Sequence, residues 1–117
     1  MTPAQIAARW IEAFNRHDVV ALVGLYAEDA VHHSPKLRAA RPETQGRIAG
    51  QAALTEWWRD AFARLPSLHY ELQTVTADAA RVLIVYERHV AGEADLLVAE
   101  CFTVRDGLIA ASRVFHG

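Results

Sequence analysis

The chain changes its hydrophobic period once, near Pro66. Before it, apolar positions recur at helical spacing. Ile6, Trp10 and Phe14, with Ala7 and Ala13 beside them, form one stripe. Thr2, Pro3 and Gln5 supply an N-cap, a first-position proline and a capping-box partner. The stretch from Asn15 to Asp18 interrupts the stripe, and Asp18 can cap a second helix predicted from Val19 to about Ala27, with Leu22, Leu25 and Tyr26 inward. Residues 29–35, DAVHHSP, read as a short strand stopped by Pro35. Residues 36–49 show no period and are expected to be a solvated loop, with Lys36, Arg38, Arg41 and Arg47 against Glu43 alone. A third helix is predicted from about Gln51 to Arg64, with Leu54, Trp57, Trp58, Phe62 and Leu65 on its apolar side.

After Pro66 the pattern alternates, through LHYELQTV, RVLIVYERHV, DLLVAECFTV and LIAASRVFH. Asp106-Gly107 is a tight-hairpin signal between the last two segments. Helices followed by four hairpin-linked strands predict an α+β fold with a mostly antiparallel sheet. Adjacent strand residues face opposite sides, so each strand can be read one face at a time. Val82, Ile84, Tyr86 and Arg88 share a face, as do Leu96, Val98, Glu100 and Phe102, and as do Ile109, Ala111, Arg113 and Phe115. Glu100 therefore falls in the middle of an apolar face. A buried carboxyl must be paired, hydrogen-bonded or protonated. Two outcomes stay open: an ion pair with Arg88 or Arg113, or a neutral acid fit for proton transfer.

At 117 residues, 52% hydrophobic and 22% charged, the chain is expected to form a single domain over residues 1–117. A net charge of -2 argues against nucleic acid as a partner. Cys101 is the only cysteine, which excludes an intrachain disulfide and a thiolate metal cluster. No segment approaches the ~20 apolar residues of a membrane helix, and no leader pattern opens the chain. A cytoplasmic protein is expected, with no membrane partner. His32 and His33 are adjacent and so point apart on a strand; without an HxH or HExxH spacing, no metal is expected.

The order helix, helix, short strand, helix and long strands, together with AFNRHDVVALVGLYAEDAVHHSP near the start, resembles the nuclear transport factor 2-like superfamily. It is most similar to the SnoaL-like, polyketide cyclase-like branch, and more distantly to ketosteroid isomerase. The resemblance runs from about Ile6 to His116 and implies a cone of three N-terminal helices on a curved sheet enclosing an apolar pocket. It puts Ser34 where the isomerase holds its general-base aspartate, Trp10 where it holds a tyrosine, and Glu100 where it holds a protonated aspartic acid. One of those three features survives, so steroid-type isomerisation is not expected.

The same resemblance turns His32 and Ser34 toward the pocket and His33 away. It puts Tyr86, Arg88, Glu100, Arg113 and Phe115 on the concave face, and Trp57 in the pocket wall. Loop 36–49 would then border the pocket mouth. The expected catalytic pair is Glu100 as acid and His32 as base. Trp10, Phe14, Ser34, Trp57, Tyr86, Arg88, Arg113 and Phe115 would contact a small apolar carbonyl compound. Isomerisation, cyclisation or dehydration without a cofactor is the reaction class, and a non-catalytic ligand-binding or dimerisation module is the alternative. Apolar outward positions at Leu83, Val85, Leu97 and Ala99 predict a homodimer through the sheet.

Overall fold

The structure, a computed structural model, describes residues 1–117. Thr2 closes a complete capping box with Gln5, and helix α1 runs Pro3–Asn15 with Ile6, Ala7, Trp10, Ala13 and Phe14 buried. Asp18 caps α2 as expected, but α2 spans only Val19–Val23 and stops at Gly24. Tyr26 instead opens strand β1, Tyr26–His33. Its backbone is claimed by the sheet, where it pairs with Ile109.

Residues 36–49 are not a loop. Pro35 both ends β1 and starts a helix, because Ser34 supplies the cap: its Oγ accepts from the Leu37 amide at 3.4 Å. Helix α3, Pro35–Ala40, is followed by a 3-10 turn, Pro42–Thr44. Gln45 and Gly46 then take left-handed backbone (φ 56° and 79°) and reverse the chain. Strand β2, Arg47–Ala49, pairs antiparallel with β1, placing Ile48 opposite His32. Helix α4, Gln51–Arg64, ends where its sequence signals predict. The fold thus has four α-helices where three were expected.

Strands β3 (His69–Ala77), β4 (Arg81–His89), β5 (Leu96–Arg105) and β6 (Leu108–His116) complete a six-stranded sheet of order β2-β1-β6-β5-β4-β3. Every pairing is antiparallel except β1 with β6. The two ends of that order do not meet, so the sheet is curved and unclosed. Its concave side packs against the helices around a core of 24 buried apolar residues that includes Trp10, Phe14, Trp58, Tyr86 and Phe102.

The faces of β4 and β5 fall as the alternation predicts: Val82, Ile84, Tyr86 and Arg88, and Val98, Glu100 and Phe102, are all buried. Strand β6 departs from it. Val104 pairs with Ile109, but Thr103 pairs with Ala111, so Ala110 is an extra residue, a bulge. Beyond it the parity flips. Ser112 is buried and Val114 lines the interior, whereas Arg113 and Phe115 lie on the outer face, Phe115 half exposed. The expectation that Arg113 and Phe115 face the concave side is corrected by that single inserted residue.

Candidate active site

Cross-strand register stacks the concave side chains in rows. Val82, Phe102 and Ser112 form the deepest row, with His32 of β1 beside Ser112. Ile84, Glu100 and Val114 form the next, then Tyr86, Val98 and His116, and finally Arg88 with Leu96. Helices α1 and α4 close the opposite wall. Between them lies a cavity of about 390 Å³, within the size range of small-molecule sites.

Its body is aromatic. Phe14 stacks on Tyr70 at 3.9 Å between ring centroids, and Tyr70 stacks on Tyr86 at 4.0 Å. Trp10 lies 5.1 Å from Phe14. Trp57 and Trp58 of α4 complete a wall suited to a flat apolar body. The mouth is polar, carrying Lys36, Arg64, Arg88, Glu93 and His116.

Glu100 lines this cavity at 1% exposure. Its Oε1 accepts a hydrogen bond from the Tyr86 hydroxyl at 2.8 Å, and Oε2 has no partner at all. The ion-pair alternative fails. Arg88 bonds Glu93 at 2.8 Å, and Arg113 is on the far side of the sheet. With no cation beside it, burial pushes the Glu100 carboxyl up to about 8, against a smaller lowering by the Tyr86 bond. At neutral pH Glu100 is chiefly the protonated acid. Because Oε1 already accepts, the acid proton belongs on Oε2, the buried oxygen without a partner.

His32 is buried beside Trp58, ring centroids 5.2 Å apart, and its Nδ1 lies 2.6 Å from Ser112 Oγ. That contact ends a chain. The Trp10 indole donates to the Tyr26 hydroxyl at 3.1 Å, and Tyr26 donates to Ser112 Oγ at 3.4 Å. An indole N–H can only donate, so it sets the direction. Tyr26 accepts and passes on its proton, Ser112 does the same, and His32 Nδ1 is the acceptor. His32 is therefore protonated on Nε2, which makes no bond within the protein. Burial, with the neighbouring His33 a smaller cause, holds its pKa down to about 3. His32 at neutral pH is a neutral imidazole offering an N–H, which reverses the base role expected from sequence.

Of the other expected contacts, Trp10, Phe14, Ser34, Trp57, Tyr86 and Arg88 all line the cavity, and Arg113 and Phe115 do not. Ser34 caps α3 at the rim. Sequence reasoning missed Tyr70, Val114 and His116 as lining groups, and Ser112 as the partner of His32. Tyr70 carried a signal, since it alternates with Leu68 on an apolar face. The other three lie beyond the bulge and carried none.

A half-open cone of helices on a curved sheet, enclosing an aromatic cavity with a buried acid, defines a pocket protein of the nuclear transport factor 2-like, cystatin-like fold. Residues 7–112 match the SnoaL-like domain model, and the chain belongs to that family. A SnoaL-like protein of unknown function from Burkholderia thailandensis is 28% identical, with a TM-score of 0.87, covering 98% of this chain and 93% of its own. A candidate polyketide cyclase from Sinorhizobium meliloti is 23% identical (TM-score 0.80, covering 95% of this chain and 94% of its own). A candidate ketosteroid isomerase from Kribbella flavida is 19% identical (TM-score 0.79, covering 97% and 76%). These last two share the fold. No functionally curated protein matches the chain.

Proposed function

We propose that this protein is a cofactor-free acid–base enzyme acting on a small apolar carbonyl compound, by isomerisation, cyclisation or dehydration. The observation that carries the reading is Glu100: a buried carboxyl, unpaired by any arginine, with one oxygen partnerless at a cavity of about 390 Å³. A neutral acid there protonates a carbonyl oxygen, and the carboxylate left behind takes the proton from the adjacent carbon to give the enol; the same two transfers in reverse, at another carbon, restore the carbonyl and the acid. A group titrating near the working pH transfers protons in both directions with little penalty. The His32 Nε2–H is a second, neutral donor for the oxygen on which charge develops. Trp10, Phe14, Tyr70 and Tyr86 hold the flat body, and Tyr86 keeps the Glu100 proton on Oε2.

A ligand screen tests this, using wild type and Glu100→Gln with polyketide-like and steroid-like carbonyl compounds in thermal shift. Compounds that stabilise wild type and turn over should still bind the Gln variant but react at least ~100-fold more slowly, the usual worth of general acid–base catalysis. Absence of any stabilising compound would remove the small-molecule reading. Equal turnover by the variant would remove Glu100 as the acid.

A second feature supports assembly. On the outer face Val85, Ala99 and Phe115 lie in one cross-strand row, with Leu83 (39% exposed) and Leu97 (47%) flanking it. An apolar stripe of this kind suits a homodimer through the sheet. Analytical ultracentrifugation should give twice the chain mass for wild type and a monomer for Leu97→Lys; a monomeric wild type at tens of micromolar rejects it.

A further inference from the structure

The charge at the cavity mouth is not used by the acid–base reading. Arg88, near the end of β4, is 7% exposed. Its Nη1 donates to Glu93 at 2.8 Å, while Nη2 and Nε have no partner in the protein. Neither of those two nitrogens is fully buried, so the guanidinium keeps an accessible edge. Lys36, at the start of α3, makes no ion pair. Its charge nonetheless reaches the same place. Burial chiefly lowers the His116 imidazole, and Lys36 and Arg88 add to that. Glu93 is held down chiefly by its bond with Arg88, with Lys36 a small further cause. Arg64 is occupied by Asp60 at 2.9 Å. With His116 neutral and the Arg64–Asp60 pair cancelling, Lys36 and Arg88 against Glu93 leave one positive charge in excess.

We propose that the ligand is a monoanion, an apolar keto acid whose carboxylate docks on the free edge of Arg88 beside Lys36 while its carbonyl lies at Glu100. This rests on the reading of the cavity as a small-molecule site. A guanidinium edge matches a carboxylate in a bidentate manner. One excess charge balances a carboxylate, whereas a dianionic phosphate would leave the mouth negative. Arg88 is paired with Leu96, four residues before Glu100 on β5. At about 3.3 Å per residue the two rows are ~13 Å apart, so carbonyl and carboxylate belong at opposite ends of a body about two fused rings long. Such an orientation also brings the carbonyl, not the acid group, to the proton donors.

The test is isothermal titration calorimetry with 6-acetyl-2-naphthoate and its methyl ester, which differ only in the charge. Wild type should bind the acid at least ~10-fold tighter at low salt, with the gap narrowing as salt is raised. Lys36→Gln and Arg88→Gln should each narrow the gap, and Glu93→Gln should widen it by freeing the remaining guanidinium nitrogen. Should Arg88→Gln fail to fold, the exposed Lys36 and Glu93 variants still decide the matter. An ester that binds wild type as tightly as the acid, or a gap unchanged in the Lys36 and Glu93 variants, overturns the keto-acid proposal and leaves the cavity reading standing. Neither compound binding at millimolar concentration overturns both.

Discussion

Glu100 and His32 are buried groups displaced in opposite senses, and together they dictate an unusual dependence of stability on pH. Glu100 goes from an ordinary 4.5 to about 8 in the fold. Between those values the folded state holds a proton that the unfolded state has released, so stability falls as pH rises. His32 goes from 6.5 to about 3. Between those values the unfolded state holds the extra proton, so stability falls as pH falls. The two windows overlap from 4.5 to 6.5 and there the slopes cancel. At about 1.4 kcal/mol per pH unit, the pair leaves a plateau, a loss of ~2 kcal/mol from pH ~6.5 to ~8, and a similar loss from ~4.5 to ~3.

Single variants separate the two halves. Glu100→Gln keeps an acceptor for the Tyr86 hydroxyl but cannot ionise. Relative to wild type it should gain up to about 5 kcal/mol progressively from pH ~4.5 to ~8, on top of a constant offset from its amide. His32→Gln should gain by a similar amount as pH falls from ~6.5 to ~3. Urea unfolding at a series of pH values measures both, and subtracting wild type removes the contributions of the surface groups. A Glu100→Gln difference that is flat above pH ~5, or that shrinks as pH rises, would mean an ionised, partnered carboxylate in the fold and rule out the neutral acid.

The hydrogen bonds around these groups make further expectations. Tyr86→Phe removes the one interaction that lowers the Glu100 pKa, so the midpoint of its transition should move up from about 8; a downward move would contradict the direction of that bond. Ser112→Ala cuts the chain from Trp10 to His32 and should cost about 1–3 kcal/mol in urea unfolding, with His32 losing its single tautomer in the imidazole nitrogen NMR shifts. Thr2→Ala should destabilise by about 1 kcal/mol through the capping box, with no effect on ligand binding.

The helix caps, the third predicted helix and the burial faces of β4 and β5 were legible because each rests on short-range chemistry. Glu100 could be singled out by parity alone, since β5 pairs with β4 without a slip from Arg81 to Arg88. Where that rule was carried across β6 it failed. One bulged residue, Ala110, exchanges the faces of all that follow, and alanine at that place advertises nothing. Residues 36–49 were misread for a related reason. The six residues of α3 complete under two turns, too few to show a period, and the three of β2 exist through their pairing with β1. Tyr26 has the sequence of a helix end and the backbone of a strand because Gly24 stops α2 and Ile109 offers a partner.

The roles within the site were less legible than its membership. His32 was identifiable as a pocket residue, but its protonation follows from Trp10, Tyr26 and Ser112, which come from three separate elements. Likewise, Arg88 stands two rows along the sheet from Glu100 and pairs with Glu93, a loop residue that strand parity does not reveal.

Glu100 as a neutral acid at the cavity carries the proposed chemistry. The most direct test is its own titration, followed by the side-chain carboxyl carbon in NMR of protein labelled at glutamate, with Glu100→Gln assigning the signal. A protonated carboxyl at neutral pH, with a midpoint near 8, is the result predicted. A carboxylate already ionised at neutral pH, titrating at or below 4.5, would contradict it.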